Sequence, residues 1–176
     1  AGLELGIRGS IAVNERMETS VPDIYAVGDA VEVTHFVTDQ KALISLAGPA
    51  NKQGRIAADN ICGGNSRFHG SQGSSVLKLF GLTAASTGIN EKAAQAAGIT
   101  YDKVVLLPAS HATYYPGAQS MAMKVLYEKE SLRLLGAQIV GGDGVDKRID
   151  VLATAIRAGM TALELTELDL AYAPPY

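Results

Sequence analysis

The stretch Thr19-Ser20-Val21-Pro22-Asp23-Ile24-Tyr25-Ala26-Val27-Gly28-Asp29 decides how the first part of the chain is interpreted. Its Pro-Asp pair marks a turn, and the β-branched and aromatic run after it predicts a buried strand over residues 24–27. The strand stops at Gly-Asp, where a glycine lets the backbone approach a ligand and a carboxylate accepts hydrogen bonds from polyol or ribose hydroxyls. A bare Gly-Asp pair would equally suit an ordinary turn. Upstream, the apolar-polar alternation over residues 10–14 predicts another strand.

A helix is predicted next, and its first turn is a second candidate contact. Pro49 is tolerated in a first turn, and apolar residues recur at helical spacing up to Ile61, so residues 49–62 are expected to be helical. The small residues of Leu46-Ala47-Gly48-Pro49 permit close approach of a ring system. Unpaired N–H groups and the positive end of the helix dipole favour an electron-rich partner there. Local evidence leaves packing on a neighbouring element as an equal alternative.

The polar, glycine-rich stretch 63–75 indicates a linker, and we place a domain boundary near residue 72. Beyond it, strands are predicted at residues 76–80, 103–107, 121–127 and 134–140, the last two as an antiparallel hairpin. Helices are predicted at residues 91–97, with Asn90 as N-cap, at 145–158, and after Thr161. The helix over 145–158 is expected to bury Val145, Ile149, Leu152, Ala153 and Ile156. Helices gathered at the end of an antiparallel sheet favour an α+β domain.

Composition limits the class of protein. The chain has 176 residues, of which 47% are hydrophobic, and no apolar run approaches the ~20 residues of a membrane-spanning helix. Its first residues lack a signal region, so a cytoplasmic location is expected. A net charge of −3 without a Lys/Arg cluster argues against a nucleic-acid partner. The single cysteine, Cys62, excludes an internal disulfide, a redox CxxC pair and a multi-cysteine metal site, and no metal is expected.

Two segments near the end concentrate tyrosines. They are Ser110-His111-Ala112-Thr113-Tyr114-Tyr115-Pro116-Gly117 and the terminal Tyr172-Ala173-Pro174-Pro175-Tyr176. Phenol and imidazole groups can donate hydrogen bonds or protons, although tyrosines beside Pro-Gly more often serve as packing anchors. Taken separately, both segments are interpreted as structural.

Residues 19–29 resemble the second FAD fingerprint of flavoproteins with two dinucleotide-binding domains, such as glutathione reductase-like and NADH oxidase-like enzymes. The resemblance implies that residues 1–72 are the C-terminal segment of an FAD-binding domain. Gly28 and Asp29 would then contact FAD, with the Asp29 carboxylate hydrogen-bonded to the ribityl chain. The helix start resembles the flavin-facing helix of the same family, which implies further contacts from Ala47, Gly48 and Pro49.

Four more stretches, residues 85–92, 110–117, 141–150 and 168–176, resemble the coenzyme A disulfide reductases and their NADH oxidase and persulfide reductase relatives. The resemblance implies that residues 73–176 form a dimerisation domain and a homodimer. It also implies that Tyr114 and Tyr172 assist the thiol chemistry of the partner subunit. The intact enzyme would pass hydride from NAD(P)H to FAD, and then electrons to coenzyme A disulfide, a persulfide or dioxygen.

The family's N-terminal FAD motif, its redox cysteine and its NAD(P)H domain are not in this sequence, so we expect a fragment that does not turn over alone. Two alternatives remain at this point. One is a non-catalytic association module, which has no physical need for an FAD fingerprint. The other is a ferredoxin-reductase-like flavoprotein, which predicts no paired tyrosines. The sequence does not choose among the acceptors or between NADH and NADPH.

Overall fold

The computed structural model describes residues 2–176. The chain divides between Gly73 and Ser74 into two compact units. The first holds a short antiparallel pair, β1 (Val33–Thr34) and β2 (Lys41–Ala42), and one long helix, α1 (Ala47–Ile61). Its buried core consists of Met17, Val31, Val33, Ala57 and Phe68. Apolar side chains from strand segments, helix and linker therefore meet in one small cluster.

The two strands predicted in the first unit are reduced to single bridges. Ile11 bridges Leu5 and Val31, and Tyr25 bridges Glu18. The expectation of a buried strand over residues 24–27 was wrong for Ile24 and Val27, each 38% exposed, whereas Tyr25 packs on the core. An extended ladder needs a neighbouring backbone along its whole length. Within the described residues these segments have such a neighbour at one position only.

Helix α1 confirms the predicted helix and begins two residues earlier than expected. Pro49 occupies its first turn, where a missing N–H group leaves no helical carbonyl without a donor. Gln53, Ala57 and Asn60 form its buried face. The Asn60 amide group donates to the carbonyl oxygens of Arg16 and Ser66. It thereby ties the end of the helix to the segment that follows.

The second unit is a five-stranded, fully antiparallel sheet in the order β3-β4-β7-β6-β5. Its elements are β3 (Ser75–Leu79), β4 (Leu82–Gly88), α2 (Glu91–Ala96), β5 (Tyr101–Leu106), β6 (Ala122–Glu128), β7 (Leu134–Gly141) and α3 (Val145–Ala158). The antiparallel hairpin predicted near residues 121–140 is the β6–β7 pair, in which Val125 lies opposite Ala137. The α+β class with an antiparallel sheet is confirmed.

Strand β4 was not predicted. Its middle residues Ala84 and Ala85 lie in a stretch of small side chains, and alanine is depleted in strands although the flanking threonines favour them. It nevertheless lies inside the sheet, between β3 and β7. Close packing occurs at the end of this strand, where Gly88 lies opposite Gly136 of β7 and a Cβ added at Gly136 would overlap the carbonyl oxygen of Ile89. Tertiary packing, not propensity, fixes this strand.

The helices of the second unit follow their sequence signals. Helix α3 has the predicted bounds and packs on β4 and β7 with Val145, Ile149, Leu152 and Ile156 buried. Ala155 is buried in place of the predicted Ala153, which is half-buried. In α2, the Asn90 side chain accepts a hydrogen bond from the Ala93 N–H at 2.9 Å, as an N-cap does. Thr161 and Glu164 cap the last short 3-10 helix, Glu164–Glu167, reciprocally.

An ion-pair cluster fastens α2 to the sheet. The Glu91 carboxylate lies 2.6 Å from the Lys103 ammonium of β5 and 2.9 Å from that of Lys124 in β6. Hydrogen bonds from Lys103 and then Lys124 lower the pKa of Glu91 from 4.5 to about 2. The carboxylate therefore stays ionised well into the acidic range.

Among residues 2–176, no helix is both long enough and apolar enough to cross a membrane.

Candidate functional site

The first candidate site lies where the Gly-Asp pair meets α1. Gly28 adopts φ +77°, a conformation in the left-handed region that glycine takes without strain. Its N–H group donates to the Gln53 side-chain oxygen at 2.7 Å, and Gln53 is only 1% exposed. A buried amide of α1 thus fixes the turn that carries Asp29.

Asp29 lies in a short 3-10 helix, Gly28–Ala30, and is exposed. Within the described part of the chain, its carboxylate has no hydrogen-bond or ion-pair partner. The acidic group is therefore free to accept hydrogen bonds from a ligand. The contact of Asp29 with FAD stays a prediction.

The start of α1 is open. Ala47 and Gly48 are exposed, and Leu46 at the N-cap offers no side-chain acceptor to the first N–H groups of the helix. A Cβ at Gly48 would meet nothing within 4 Å. Farther along α1, a depression of about 450 Å³ is lined by Ala50, Asn51, Gly54, Arg55 and Ala58. The first turn therefore presents unpaired N–H groups beside small side chains, as an electron-rich ring would require.

The second candidate site is built from the two tyrosine segments of the second unit. The hydroxyl groups of Tyr114 and Tyr172 lie 3.3 Å apart, although 58 positions separate them in the sequence. Both side chains are exposed, Tyr114 by 76% and Tyr172 by 71%. Two phenols thus meet at the surface, where an external group can reach either oxygen.

The hydrogen bond to Tyr114, with a smaller contribution from the charge of Tyr114, raises the pKa of Tyr172 above its ordinary value of 10.0. A raised pKa keeps the phenol protonated at and well above neutral pH. The pair can therefore donate a hydrogen bond or a proton, which is what a sulfur anion or a departing thiolate accepts.

The loop that carries Tyr114 is closed at its base. Ala109 bridges Ser120, and the N–H group of Ser110 donates to the Gln119 carbonyl at 2.8 Å. The His111 ring contacts the Ser110 hydroxyl at 3.1 Å and the Pro116 carbonyl at 3.3 Å. Both ring nitrogens are thus engaged inside the loop, so His111 has a structural part.

Other sequence candidates are not brought to either site. Cys62 is an exposed free thiol just beyond the end of α1, and no chemistry is assigned to it. Among the described residues, no group of three His, Cys, Asp or Glu side chains is arranged to hold a metal ion. The sequence reasoning missed Gln53, and it missed Arg148, whose guanidinium donates to the Ser110 carbonyl at the base of the loop that carries Tyr114. A polar residue on the buried face of α1 was the one available signal for Gln53.

Comparison with known families covers nearly the whole chain. The family described as "Pyridine nucleotide-disulphide oxidoreductase, dimerisation domain" matches residues 75–176. A second, described as "Pyridine nucleotide-disulphide oxidoreductase", matches residues 1–54. The matches fall in the two structural units separately.

Individual proteins similar to this chain belong to the same group of enzymes by name. A coenzyme A disulfide reductase of Staphylococcus aureus (strain bovine RF122 / ET3-1) is 38% identical over 177 residues, which span 100% of this chain and 40% of the relative. The structure of an NAD-dependent persulfide reductase from A. fulgidus is 49% identical with a TM-score of 0.97, covering 100% of this chain and 32% of the other. The reduced CoADR-RHD of Bacillus anthracis is 52% identical with a TM-score of 0.96 and the same coverage. The chain thus spans about two fifths or less of the length of these relatives.

Proposed function

Since this chain belongs to the pyridine nucleotide-disulphide oxidoreductase family, we propose that it forms the C-terminal part of a flavoenzyme that oxidises NAD(P)H. In this proposal, residues 1–72 complete an FAD-binding domain and residues 73–176 form a dimerisation domain. FAD supplies the hydride-accepting chemistry between NAD(P)H and the final acceptor. The residues of this chain bind that cofactor and present side chains to the acceptor.

The residues at the first site fit FAD. Gly28 holds the left-handed turn and is bonded to Gln53 of α1, and the Asp29 carboxylate is exposed and has no partner within residues 2–176. We assign Asp29 to the hydroxyl groups of the ribityl chain. We assign Ala47, Gly48 and Pro49 to the flavin ring, whose pyrimidine carbonyls suit the unpaired N–H groups of a helix start.

The proposal also assigns thiol chemistry to the second site. We propose that Tyr114 and Tyr172 serve the redox thiol of the partner subunit, and that the acceptor is a coenzyme A disulfide or a persulfide. The observation that carries this is the 3.3 Å contact between two exposed phenols. A protonated phenol stabilises a leaving thiolate by donating a hydrogen bond to sulfur. The named activities of the Staphylococcus aureus and A. fulgidus relatives support this acceptor class.

A homodimer through residues 73–176 is supported by the apolar surface of the second unit. Exposed large apolar residues on its strands and turns are Val76, Leu77, Leu79, Phe80, Leu82, Val104, Val105, Leu106, Leu107 and Val140. Soluble monomers rarely expose so many apolar side chains on one domain, and a stable homodimer buries about 2,000 Å² or more. The apolar side of α3 is already covered by its own sheet, so the strands carry this argument.

The test uses the full-length protein that contains this chain. Its visible spectrum reports bound flavin, and NAD(P)H oxidation is measured with coenzyme A disulfide, a persulfide or dioxygen as acceptor. Tyr114→Phe and Tyr172→Phe are expected to lower turnover with the sulfur acceptors about a hundredfold, because acid–base assistance contributes on the order of 10²–10⁴-fold. Tyr127→Phe, in β6, is the matched control.

The outcomes separate the parts of the proposal. A colourless protein that refuses FAD on reconstitution contradicts the flavoenzyme. A flavoprotein that turns over only with dioxygen, and is indifferent to both tyrosine variants, contradicts the thiol chemistry and leaves an oxidase or a ferredoxin-reductase-like enzyme. Full activity in Tyr114→Phe with sulfur acceptors removes that residue from the site.

A further inference from the structure

The first turn of α3 contacts both tyrosine segments. Arg148 donates one guanidinium N–H group to the Ser110 carbonyl, at the base of the loop that carries Tyr114. It donates another to the Gly144 carbonyl at 3.0 Å. One half-buried side chain of α3 is thereby bonded both to its own turn and to the tyrosine loop.

The base of the loop is firm where Arg148 meets it. Ser110 is 5% exposed, and its hydroxyl accepts a hydrogen bond from the Gln119 N–H at 3.1 Å. The N–H and C=O groups of Ser110 are also both bonded. A displacement of Ser110 therefore shifts the base of the loop from which Tyr114 projects four residues farther on.

The turn before α3 is shaped for the same contact. Gly144 adopts φ +80°, and a Cβ there would overlap the Arg148 guanidinium. The guanidinium therefore fills the space that a side chain at residue 144 would take.

The neighbouring residue contacts the other tyrosine segment. The Lys147 ammonium lies 5.6 Å from the centroid of the Tyr176 ring, within the range of a cation–π contact. A turn between Ala173 and Tyr176, closed by a 2.9 Å hydrogen bond, connects this ring to the stretch that carries Tyr172. Arg148 and Lys147 thus contact the two segments that carry Tyr114 and Tyr172, which are 58 positions apart in the sequence.

We propose that Arg148 is a positioning residue for the tyrosine pair, with Lys147 as a second and weaker one, so that the first turn of α3 sets the contact between Tyr114 and Tyr172. The proposal rests on the tyrosine-assisted thiol chemistry proposed above. Neither basic residue is expected to touch the acceptor. They act indirectly, by holding the hydroxyl groups of Tyr114 and Tyr172 in position.

The test compares Arg148→Ala and Arg148→Lys in the full-length protein with Lys129→Ala as control. Lys129 follows β6 at its far end, about 20 Å from the tyrosine loop by strand length. The first measurement is the titration of Tyr172, monitored by NMR of protein labelled with ¹³Cζ-tyrosine. The Tyr172 signal is assigned from its absence in Tyr172→Phe. In Arg148→Ala, the pKa of Tyr172 should fall to the value found in Tyr114→Phe, because the hydrogen bond between the phenols is lost. Lys129→Ala should titrate like the wild-type protein.

The second measurement is turnover with the sulfur acceptor. Arg148→Ala should lower kcat about tenfold to a hundredfold with little change in KM, since a misplacement of about 1 Å can cost 10²-fold. In a Tyr114→Phe background, the same substitution should have almost no further effect. Arg148→Lys keeps the charge but loses the planar fork of donors, so its kcat should lie between those of the wild type and Arg148→Ala.

The two measurements distinguish failure of this inference from failure of the proposed function. If folded Arg148→Ala leaves the titration of Tyr172 unchanged, Arg148 does not position the pair, whatever the activity. An equal loss of kcat in the wild-type and Tyr114→Phe backgrounds overturns the inference as well. If Tyr114→Phe is fully active while Arg148→Ala still shifts Tyr172, the positioning holds and the thiol chemistry fails. Should Arg148→Ala not fold, the titration of Tyr172 in Arg148→Lys decides.

Discussion

Substitution of Gly136 by alanine tests the close packing between β7 and the backbone that leaves the end of β4. A Cβ at this position would overlap the Ile89 carbonyl oxygen and lie 2.5 Å from its nitrogen and 2.8 Å from its carbonyl carbon. Ordinary contacts need about 3.5 Å, so the Ile89 backbone must retreat by more than about 1 Å, and its carbonyl oxygen by the most. That retreat strains the hydrogen bond from the Ile89 N–H to the Leu135 carbonyl, now 3.0 Å long.

The expected loss follows from two contributions. Overpacking of a filled site costs about 1–3 kcal/mol, and a weakened buried hydrogen bond adds about 1 kcal/mol. Gly136→Ala should therefore lower the free energy of unfolding by about 2–4 kcal/mol, a large share of the ~5–15 kcal/mol of a typical domain.

Urea denaturation of the chain followed by far-UV circular dichroism measures this loss. Gly81→Ala is the matched control, because a Cβ there meets nothing within 4 Å and its φ lies outside the left-handed region. The packing argument is refuted if Gly136→Ala unfolds within about 0.5 kcal/mol of Gly81→Ala, the usual spread of neutral surface changes.

Three further predictions concern the cap, the ion-pair cluster and the first site. Asn90→Ala should lower the free energy of unfolding by about 1 kcal/mol and Asn90→Asp by much less, as measured by urea denaturation; equal losses would contradict the capping role. The folded pKa of Glu91 is depressed to about 2, so its stabilisation is present above pH ~4.5 and is lost as pH falls toward 2. Thermal melts of wild type and Glu91→Gln should therefore differ at pH 7 and converge near pH 2, and a constant difference would contradict the ion-pair argument. Gln53→Leu removes the acceptor of the Gly28 N–H and should weaken FAD binding in the full-length protein about tenfold, whereas Lys52→Met on the same helix should not; equal affinities would show that the turn holds without Gln53.

Local sequence signals predicted most of the second unit, but in the first unit they predicted only helix α1 correctly. Asn90, the periodicity of α3 and the β6–β7 alternation each encode their own element, and the structure confirms all three. Strand β4 lacks such a signal, because the alanines in its middle are not typical of strands. Ile24 and Val27 have strand composition, yet the neighbour that a ladder requires is present at one position only.

The candidate sites divide in the same way. The Gly-Asp pair and the start of α1 are each a short continuous stretch of sequence, so each can be recognised there as a candidate contact. No pattern in the chain relates Tyr114 to Tyr172; family resemblance selected both, and the structure brings them to 3.3 Å. Gln53 and Arg148 were missed because a single polar side chain in a helix does not reveal which distant backbone group it meets. Their roles come from tertiary contacts alone.

The distance in sequence between the two phenols also fixes when they can meet during protein synthesis. Tyr114 is translated well before α3, whereas Tyr172 follows it. A nascent chain that has released β6, β7 and even α3 still lacks the second hydroxyl group of the pair. The pair therefore forms only after residue 172 has left the ribosome, later than every strand of the sheet.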